Sequence, residues 1–137
     1  MKNTIFTGCG VATATPFRPD GTVNLKKYAE HIDELIQKGV DAIIVNGTTG
    51  EASTLSADEQ FKTVKTVCDT VSGRVPVIAG AGSNDTLRAV LLSQNAEAAG
   101  ADALLIVTPY YNKTSQKGLI EHYFYIADRV KLPIIVY

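Results

Sequence analysis

No apolar run in this chain approaches the ~18 residues of a membrane-spanning helix; the longest, such as Ala103-Leu104-Leu105-Ile106-Val107, are strand-sized. An excess of one charge is missing too. Thirteen Lys and Arg stand against 14 Asp and Glu, a formal net charge of −1, so the chain offers no field for a polyanion and nucleic acid is not an expected partner. Cysteine is scarce. Cys9 and Cys68 make neither a disulfide framework nor a metal-ligand spacing, and both read as reduced apolar residues of a cytoplasmic protein. The apolar stretch within Met1–Cys9 falls short of the ~7–15 residues of a signal core, and Thr and Gly interrupt it. What is present is ordinary globular material: 45% hydrophobic and 20% charged residues over 137 positions. That length suffices for one domain with a real core and argues against disorder or a coiled coil.

Short apolar runs alternate with longer helical patterns. The runs are Asp41–Val45, Pro76–Ala79, Ala103–Val107 and Pro133–Tyr137, with Gly10–Thr15 as a weaker first strand. Continuous rather than alternating hydrophobicity is the mark of a parallel strand covered on both faces. Between the runs, Asn24 can cap a helix with Leu25, Tyr28, Ile32, Leu35 and Ile36 on one face. Ser56-Ala57-Asp58-Glu59 is a capping box opening a helix that carries Phe61, Val64, Val67, Cys68 and Val71. Asn84 or Ser83 can cap a third, with Leu87, Val90, Leu91 and Ala98 inward. A residue near Ser115 starts a fourth, with Leu119, Ile120, Tyr123, Ile126 and Val130 inward. Gly39, Gly73 and Gly100 stand where a helix ends in a left-handed residue. His31 and His122 fall on different helices and read as solvated.

A weak repeat runs through this pattern. Gly39-Val40-Asp41-Ala42 and Gly100-Ala101-Asp102-Ala103 both leave a helix and begin a strand, and Arg74-Val75-Pro76-Val77 and Lys131-Leu132-Pro133-Ile134 do so with proline. Such βα units build either an open doubly wound sheet or a (β/α) barrel. Four units and a fifth strand are visible, whereas an eight-unit barrel runs to ~250 residues. The last run stops at Tyr137 without a covering helix, so the expectation is an incomplete domain.

In either architecture ligands sit beyond the carboxyl ends of the strands. The second run leads into Asn46-Gly47-Thr48-Thr49-Gly50-Glu51, where hydroxyls and backbone amides suit a small carboxylate or phosphate. A tight turn whose Thr hydroxyls bond their own backbone fits the same residues. After the fourth run comes Thr108-Pro109-Tyr110-Tyr111-Asn112-Lys113; spacing alone favours an aromatic lid or subunit contact over a proton-transferring pair. Tyr137 ends the fifth run on the same rim as Thr48 and Thr49, which makes a proton relay conceivable. Gly80-Ala81-Gly82-Ser83-Asn84-Asp85 lacks the third glycine of a dinucleotide loop, and Gly47–Glu51 lacks a P-loop lysine. No cofactor and no metal is expected.

Taken together and in order, these motifs resemble the N-terminal half of the dihydrodipicolinate synthase family, within the wider group of pyruvate-dependent lyases and aldolases that includes N-acetylneuraminate lyase. The resemblance spans essentially the whole chain, on Gly10–Pro16, Gly47–Glu51, Pro76–Asn84 and Thr108–Lys113. Tyr110-Tyr111-Asn112 is closer to the dihydrodipicolinate branch than to the sialic acid branch. The resemblance implies a parallel α/β fold, a (β/α)8 TIM barrel of which residues 1–137 supply the first four βα units and the fifth strand. It implies condensation of pyruvate with L-aspartate 4-semialdehyde through a lysine Schiff base, in a cytoplasmic homo-oligomer, dimer or tetramer. Thr49 would hold the pyruvate carboxylate, Thr48 would be a relay hydroxyl and Tyr137 the proton donor and acceptor. Tyr111 would reach across a dimer interface into a neighbour's relay.

The family's Schiff-base lysine and its carboxylate-binding arginine would lie beyond Tyr137. Lys131 falls at the opposite rim, Lys113 in a solvated loop, and Lys2, Lys26, Lys27, Lys38, Lys62, Lys65 and Lys117 near termini or on helices. None meets the burial that an amine nucleophile needs, so the chain alone is expected to be inactive. In relatives inhibited by lysine, an effector site holds histidines and an acid where this chain has Ala57, Gln60 and Arg88. Asn84 and Tyr110 remain as remnants of such a site, and Arg88 would repel a cation. The alternatives are another pyruvate aldolase of the same group, a non-catalytic half-barrel that assembles with partners, and, last, a doubly wound phosphate-binding module.

Overall fold

The computed structural model describes residues 4–137; the sequence expectations that touch Met1, Lys2 and Asn3 lie outside the described residues. In chain order the elements are β1 (Gly10–Ala12), α1 (Leu25–Gln37), β2 (Ala42–Val45), α2 (Ala57–Val71), β3 (Val77–Gly80), α3 (Thr86–Ala99), β4 (Ala103–Ile106), α4 (Gln116–Ala127) and β5 (Ile134–Val136). Two single turns of 3₁₀ helix, Thr48–Gly50 and Ala52–Thr54, lie between β2 and α2. The outer strands are shorter than their apolar runs. Past β1, Thr13 bonds Ile44 O of β2 and Thr15 bonds Gly50 O in the loop after β2, and Tyr137 lies just past β5.

All strands are parallel and pair in sequential order β1-β2-β3-β4-β5. Alternate strand residues face two different clusters. Ile43, Val45, Val77, Ala79, Leu104 and Ile106 pack with Tyr28 and Ile32 of α1, Val64 and Val67 of α2, Ala89 and Ala96 of α3, and Ile126 of α4. Ala42, Ile78 and Ala103 form the other cluster with Ile44, Leu105, Ile135, Ile5 and Phe6, without any helix residue. The helices therefore share one face, which excludes the doubly wound alternative, where helices cover both. Right-handed crossovers that always step to the next strand place every helix on the same side. Full burial of side chains such as Ile32, Ile43, Ile78, Leu104, Ile106 and Ile126 contributes about 1.5–3 kcal/mol each.

The helix ends follow side-chain chemistry. Asn24 accepts from the Lys27 amide, and Ser56 and Glu59 close the capping box on α2. For α3 the cap is Asp85, neither Asn84 nor Ser83: its carboxylate accepts from the Leu87 and Arg88 amides at 2.9 and 3.3 Å. A carboxylate also answers the positive end of the helix. The inward face of α3 differs too. Small residues, Ala89, Ser93, Ala96 and Ala99, lie against the sheet together with Val90 and Leu92, whereas Leu87, Leu91 and Ala98 are exposed. Close approach of helix to sheet selects small side chains, which hydrophobicity alone does not reveal. On α4, Ile120 points outward and His122 inward, only 4% exposed. The ring reaches Thr86 Oγ1 with Nδ1 at 2.9 Å, and burial lowers its pKa from the usual histidine value. His31 is half-buried. Cys9 is exposed, not the apolar residue expected, while burial, with Asp102 and Asp69 nearby, pushes the half-buried Cys68 thiol up to about 11.

The repeat has a physical counterpart. Asp41 donates its amide to Cys9 O and accepts the Cys9 amide at Oδ2, at 2.9 and 2.7 Å. Asp102 does the same with Val77, at 2.9 and 2.8 Å. Each aspartate clamps the start of the preceding strand. Pro76 and Pro133, which have no N–H, offer their carbonyls to the Ile43 and Leu104 amides at 3.0 and 2.9 Å. All of this lies at the rim opposite the candidate site.

At the carboxyl rim the backbone comes unusually close. A Cβ on Gly80 would lie 2.1 Å from Asn46 O, and one on Gly82 would lie 2.5 Å from Val107 N. These glycines, weak as a dinucleotide signal, are needed for strand-to-strand packing. Gly80→Ala should lower stability by about 1–3 kcal/mol through overpacking, more than Ser56→Ala at the α2 cap, about 1 kcal/mol. Denaturant midpoints of the two variants check the ranking.

Candidate functional site

The loop after β2 is built from buried polar groups. Asn46 is 3% exposed with φ +57°, a left-handed conformation that asparagine tolerates better than most residues. Its Nδ2 donates to Gln60 O at 3.0 Å, and its Oδ1 accepts from Thr63 Oγ1 at 2.9 Å. Gln60 Nε2 in turn donates to Ala52 O and Leu55 O at 2.9 and 3.3 Å. The segment from Asn46 to Leu55 is thereby stapled to the first turns of α2. From the other side, Thr15 Oγ1 donates to Gly50 O at 2.7 Å. Thr13 Oγ1 donates to Ile44 O at 3.1 Å and lies 2.6 Å from the buried Tyr28 phenol oxygen. Burial raises the pKa of that phenol above the usual tyrosine value, partly offset by its bond to Thr13.

On this base Thr48 and Thr49 form one 3₁₀ turn closed by Gly50 N to Gly47 O and Glu51 N to Thr48 O, at 3.1 and 3.0 Å. The backbone is thus a tight turn. The threonines do not bond it: among the described residues neither hydroxyl has a protein partner, and both side chains are exposed. Gly50 packs against the first strand's end, where a Cβ would lie 3.1 Å from Thr13 O. Its role is close packing on Thr13 and Thr15, a different reason from the approach of a ligand.

An open cleft of about 620 Å³ runs along the carboxyl ends of β2 to β5. Thr48, Ser83, Asn84, Tyr110 and Tyr137 line it, with Gly80 and Gly82 giving it depth. Thr48 and Tyr137 therefore share one cavity, as the relay expectation requires. Thr49 and Tyr111 are not among its lining residues. Thr49 sits in the same turn as Thr48, and Tyr111 is 96% exposed with φ +72°. The effector-site remnants Asn84 and Tyr110 open onto this same cleft, as do Gln60 and Arg88, but not Ala57. Asn84 is held to the Tyr-Tyr loop: Asn112 Nδ2 donates to Asn84 O at 2.7 Å.

Arg88 is the only formally charged side chain among the described residues lining the cleft. Hydroxyls, amides and one guanidinium suit a small carboxylate, because each is a hydrogen-bond donor to an anionic oxygen. Among the described residues no lysine lines the cavity, and none form a cluster of three His, Cys, Asp or Glu side chains able to bind a metal. The supporting role of Thr13, Thr15, Asn46 and Thr63 escaped the sequence reading, which placed Tyr28 inward but gave its phenol no partner. Their signal was present: hydroxyls and an amide inside or directly after apolar runs must be paired when buried.

A parallel sheet in sequential order, with helices on one face and a polar cleft at its carboxyl ends, is the architecture of a (β/α) barrel, of which the described residues carry five strands and four α-helices. Within that class the chain belongs to the dihydrodipicolinate synthetase family, whose family model matches residues 5–137. It is 55% identical over 137 residues to a 4-hydroxy-tetrahydrodipicolinate synthase of Acetivibrio thermocellus, covering 100% of this chain and 47% of that relative. A protein of the same name from Thermoanaerobacter pseudethanolicus is 55% identical over 133 residues, 97% of this chain and 44% of its own length. Among solved structures, the chloride-inhibited dihydrodipicolinate synthase from Acinetobacter baumannii complexed with pyruvate superposes with a TM-score of 0.95 at 46% identity, over 98% of this chain and 46% of that one. The chain spans about half the length of the curated relatives it matches.

Asn46→Gly removes the side-chain bonds to Gln60 and Thr63 but keeps the left-handed backbone accessible, at a cost of about 1–3 kcal/mol. Asn46→Ala should cost more, because it adds backbone strain to the same loss. Equilibrium unfolding of both variants separates the two contributions.

Proposed function

We propose that this chain is the N-terminal part, residues 1–137, of a single-barrel 4-hydroxy-tetrahydrodipicolinate synthase, a cytoplasmic lyase that condenses pyruvate with L-aspartate 4-semialdehyde on the route to diaminopimelate and lysine. Pyruvate is held as a Schiff base on a lysine outside this chain. Thr49 receives the pyruvate carboxylate in the turn after β2. Tyr137 donates and accepts protons at the Schiff base, and Thr48 passes them on. Imine formation expels water and carbon–carbon bond formation consumes a proton, so a relay of hydroxyls serves both steps. The observation that carries this reading is the opening of Thr48 and Tyr137 onto one cleft in a member of this family.

Tyr111 supports the oligomeric side of the reading. A tyrosine 96% exposed on a backbone with φ +72° and outside the lining of its own cleft is available to a neighbouring copy's relay in a dimer or tetramer. Borohydride reduction in the presence of pyruvate tests the core of the proposal. A lysine adduct should form in the full-length protein outside residues 1–137, and none on this chain alone. Labelling of Lys113 or Lys131 would refute it, as would turnover of N-acetylneuraminate in place of aspartate 4-semialdehyde.

Regulation follows from Arg88 in the cleft. Arg88 stands among Asn84, Tyr110 and Gln60, and a guanidinium there disfavours the ammonium groups of lysine. The full-length enzyme should keep most of its rate at millimolar lysine. A lysine titration checks this, and strong inhibition at sub-millimolar concentrations would overturn it.

A further inference from the structure

The main chain of Tyr137, a proposed relay group, is bonded on both sides to the β4 segment. Its amide donates to Ile106 O at 2.9 Å, and its carbonyl accepts from Thr108 N at 3.0 Å. The Ile106 carbonyl has a second partner: the phenol of Tyr123, on the inward face of α4, donates to it at 2.9 Å. One oxygen with two lone pairs thus joins a helix side chain to the amide of the proposed proton donor. Burial raises the pKa of Tyr123 above the usual tyrosine value, with the Tyr137 amide acting in the opposite direction. The phenol therefore stays protonated, as a donor must.

The other end of this contact is anchored as well. The His122 ring meets Tyr123 edge-on, with centroids 5.4 Å apart at 81°. His122 Nδ1 lies 2.9 Å from Thr86 Oγ1 in the first turn of α3. A continuous path runs from α3 through His122 and Tyr123 to Ile106 and on to Tyr137. It ties the end of β5 to two helices.

We propose that Tyr123 is a positioning residue for Tyr137: through the shared Ile106 carbonyl it sets where the peptide of Tyr137 sits and hence where the phenol of Tyr137 meets the cleft. This rests on the relay reading above. Proton transfer needs heavy atoms within about 2.6–3.2 Å, and small displacements of the donor therefore reach the rate. Ile106 O keeps its bond from Tyr137 N when the Tyr123 hydroxyl is removed, so Tyr123→Phe leaves no buried acceptor without a partner.

Full-length Tyr123→Phe, Tyr137→Phe and unchanged protein are assayed for condensation, with rates divided by the active fraction trapped by borohydride and pyruvate. Tyr123→Phe should lower kcat about five- to tenfold, with KM for pyruvate within about twofold, and should shift the pH profile of kcat. Tyr137→Phe should lose about a hundredfold or more. If Tyr137→Phe loses activity while Tyr123→Phe keeps the kcat and pH profile of unchanged protein, positioning is overturned and the relay stands. A loss in Tyr123→Phe that vanishes on division by the active fraction is structural, and overturns positioning too. If Tyr137→Phe retains full activity, the relay reading fails, and this proposal with it.

Discussion

Each crossover in this chain steps to the adjacent parallel strand with the same hand, and that constraint places everything else. Because a right-handed βα crossover packs its helix on one side of the sheet, the helices line up on a single face and every strand presents its carboxyl end on the same rim. The loops after β2, β3, β4 and β5, with no local sequence in common, become neighbours around one cleft. The opposite rim is left to closure of the sheet, where Asp41 and Asp102 clamp strand starts in the same way and Pro76 and Pro133 supply only carbonyls.

The turn after β2 depends on buried polar groups outside it. Thr48 and Thr49 keep their hydroxyls exposed because the work of holding the backbone is done by Asn46, Gln60, Thr63 and Thr15. A loop whose own hydroxyls were spent on backbone bonds would have none left for a ligand. The glycines show the same division. Gly50, Gly80 and Gly82 are small because backbone from a neighbouring segment lies where a side chain would go, and this packing draws the rim segments together.

Much of this was legible in the residues, and the resemblance to the family was borne out over 5–137. Elements whose signals are local came through: the capping box at Ser56, the Asn24 cap, the left-handed glycines at 39, 73 and 100, and the buried apolar runs of β2, β3 and β4, whereas β1 and β5 are only half-covered. Readings that needed a partner to be known did not. Three side chains before α3 could each cap it, and Asp85 holds the cap because Ser83 is turned into the interior and Asn84 is tied to Asn112. His122 read as solvated because a histidine in a helix carries no mark of burial until Thr86 is placed beside it.

The residues by themselves determined which segments become strands and helices, since hydrophobic spacing and capping act over a few positions of the chain. They also carried the hydroxyls and phenols that line the cleft, and the balance of charge that offers no field to a polyanion. Only tertiary structure decided that Thr48 and Tyr137 share a cleft while Thr49 and Tyr111 lie outside its lining, and that small side chains of α3 rather than Leu87 and Leu91 meet the sheet. The reason is distance along the chain: these outcomes depend on contacts between residues tens of positions apart, which exist only once the crossovers have brought the strands side by side.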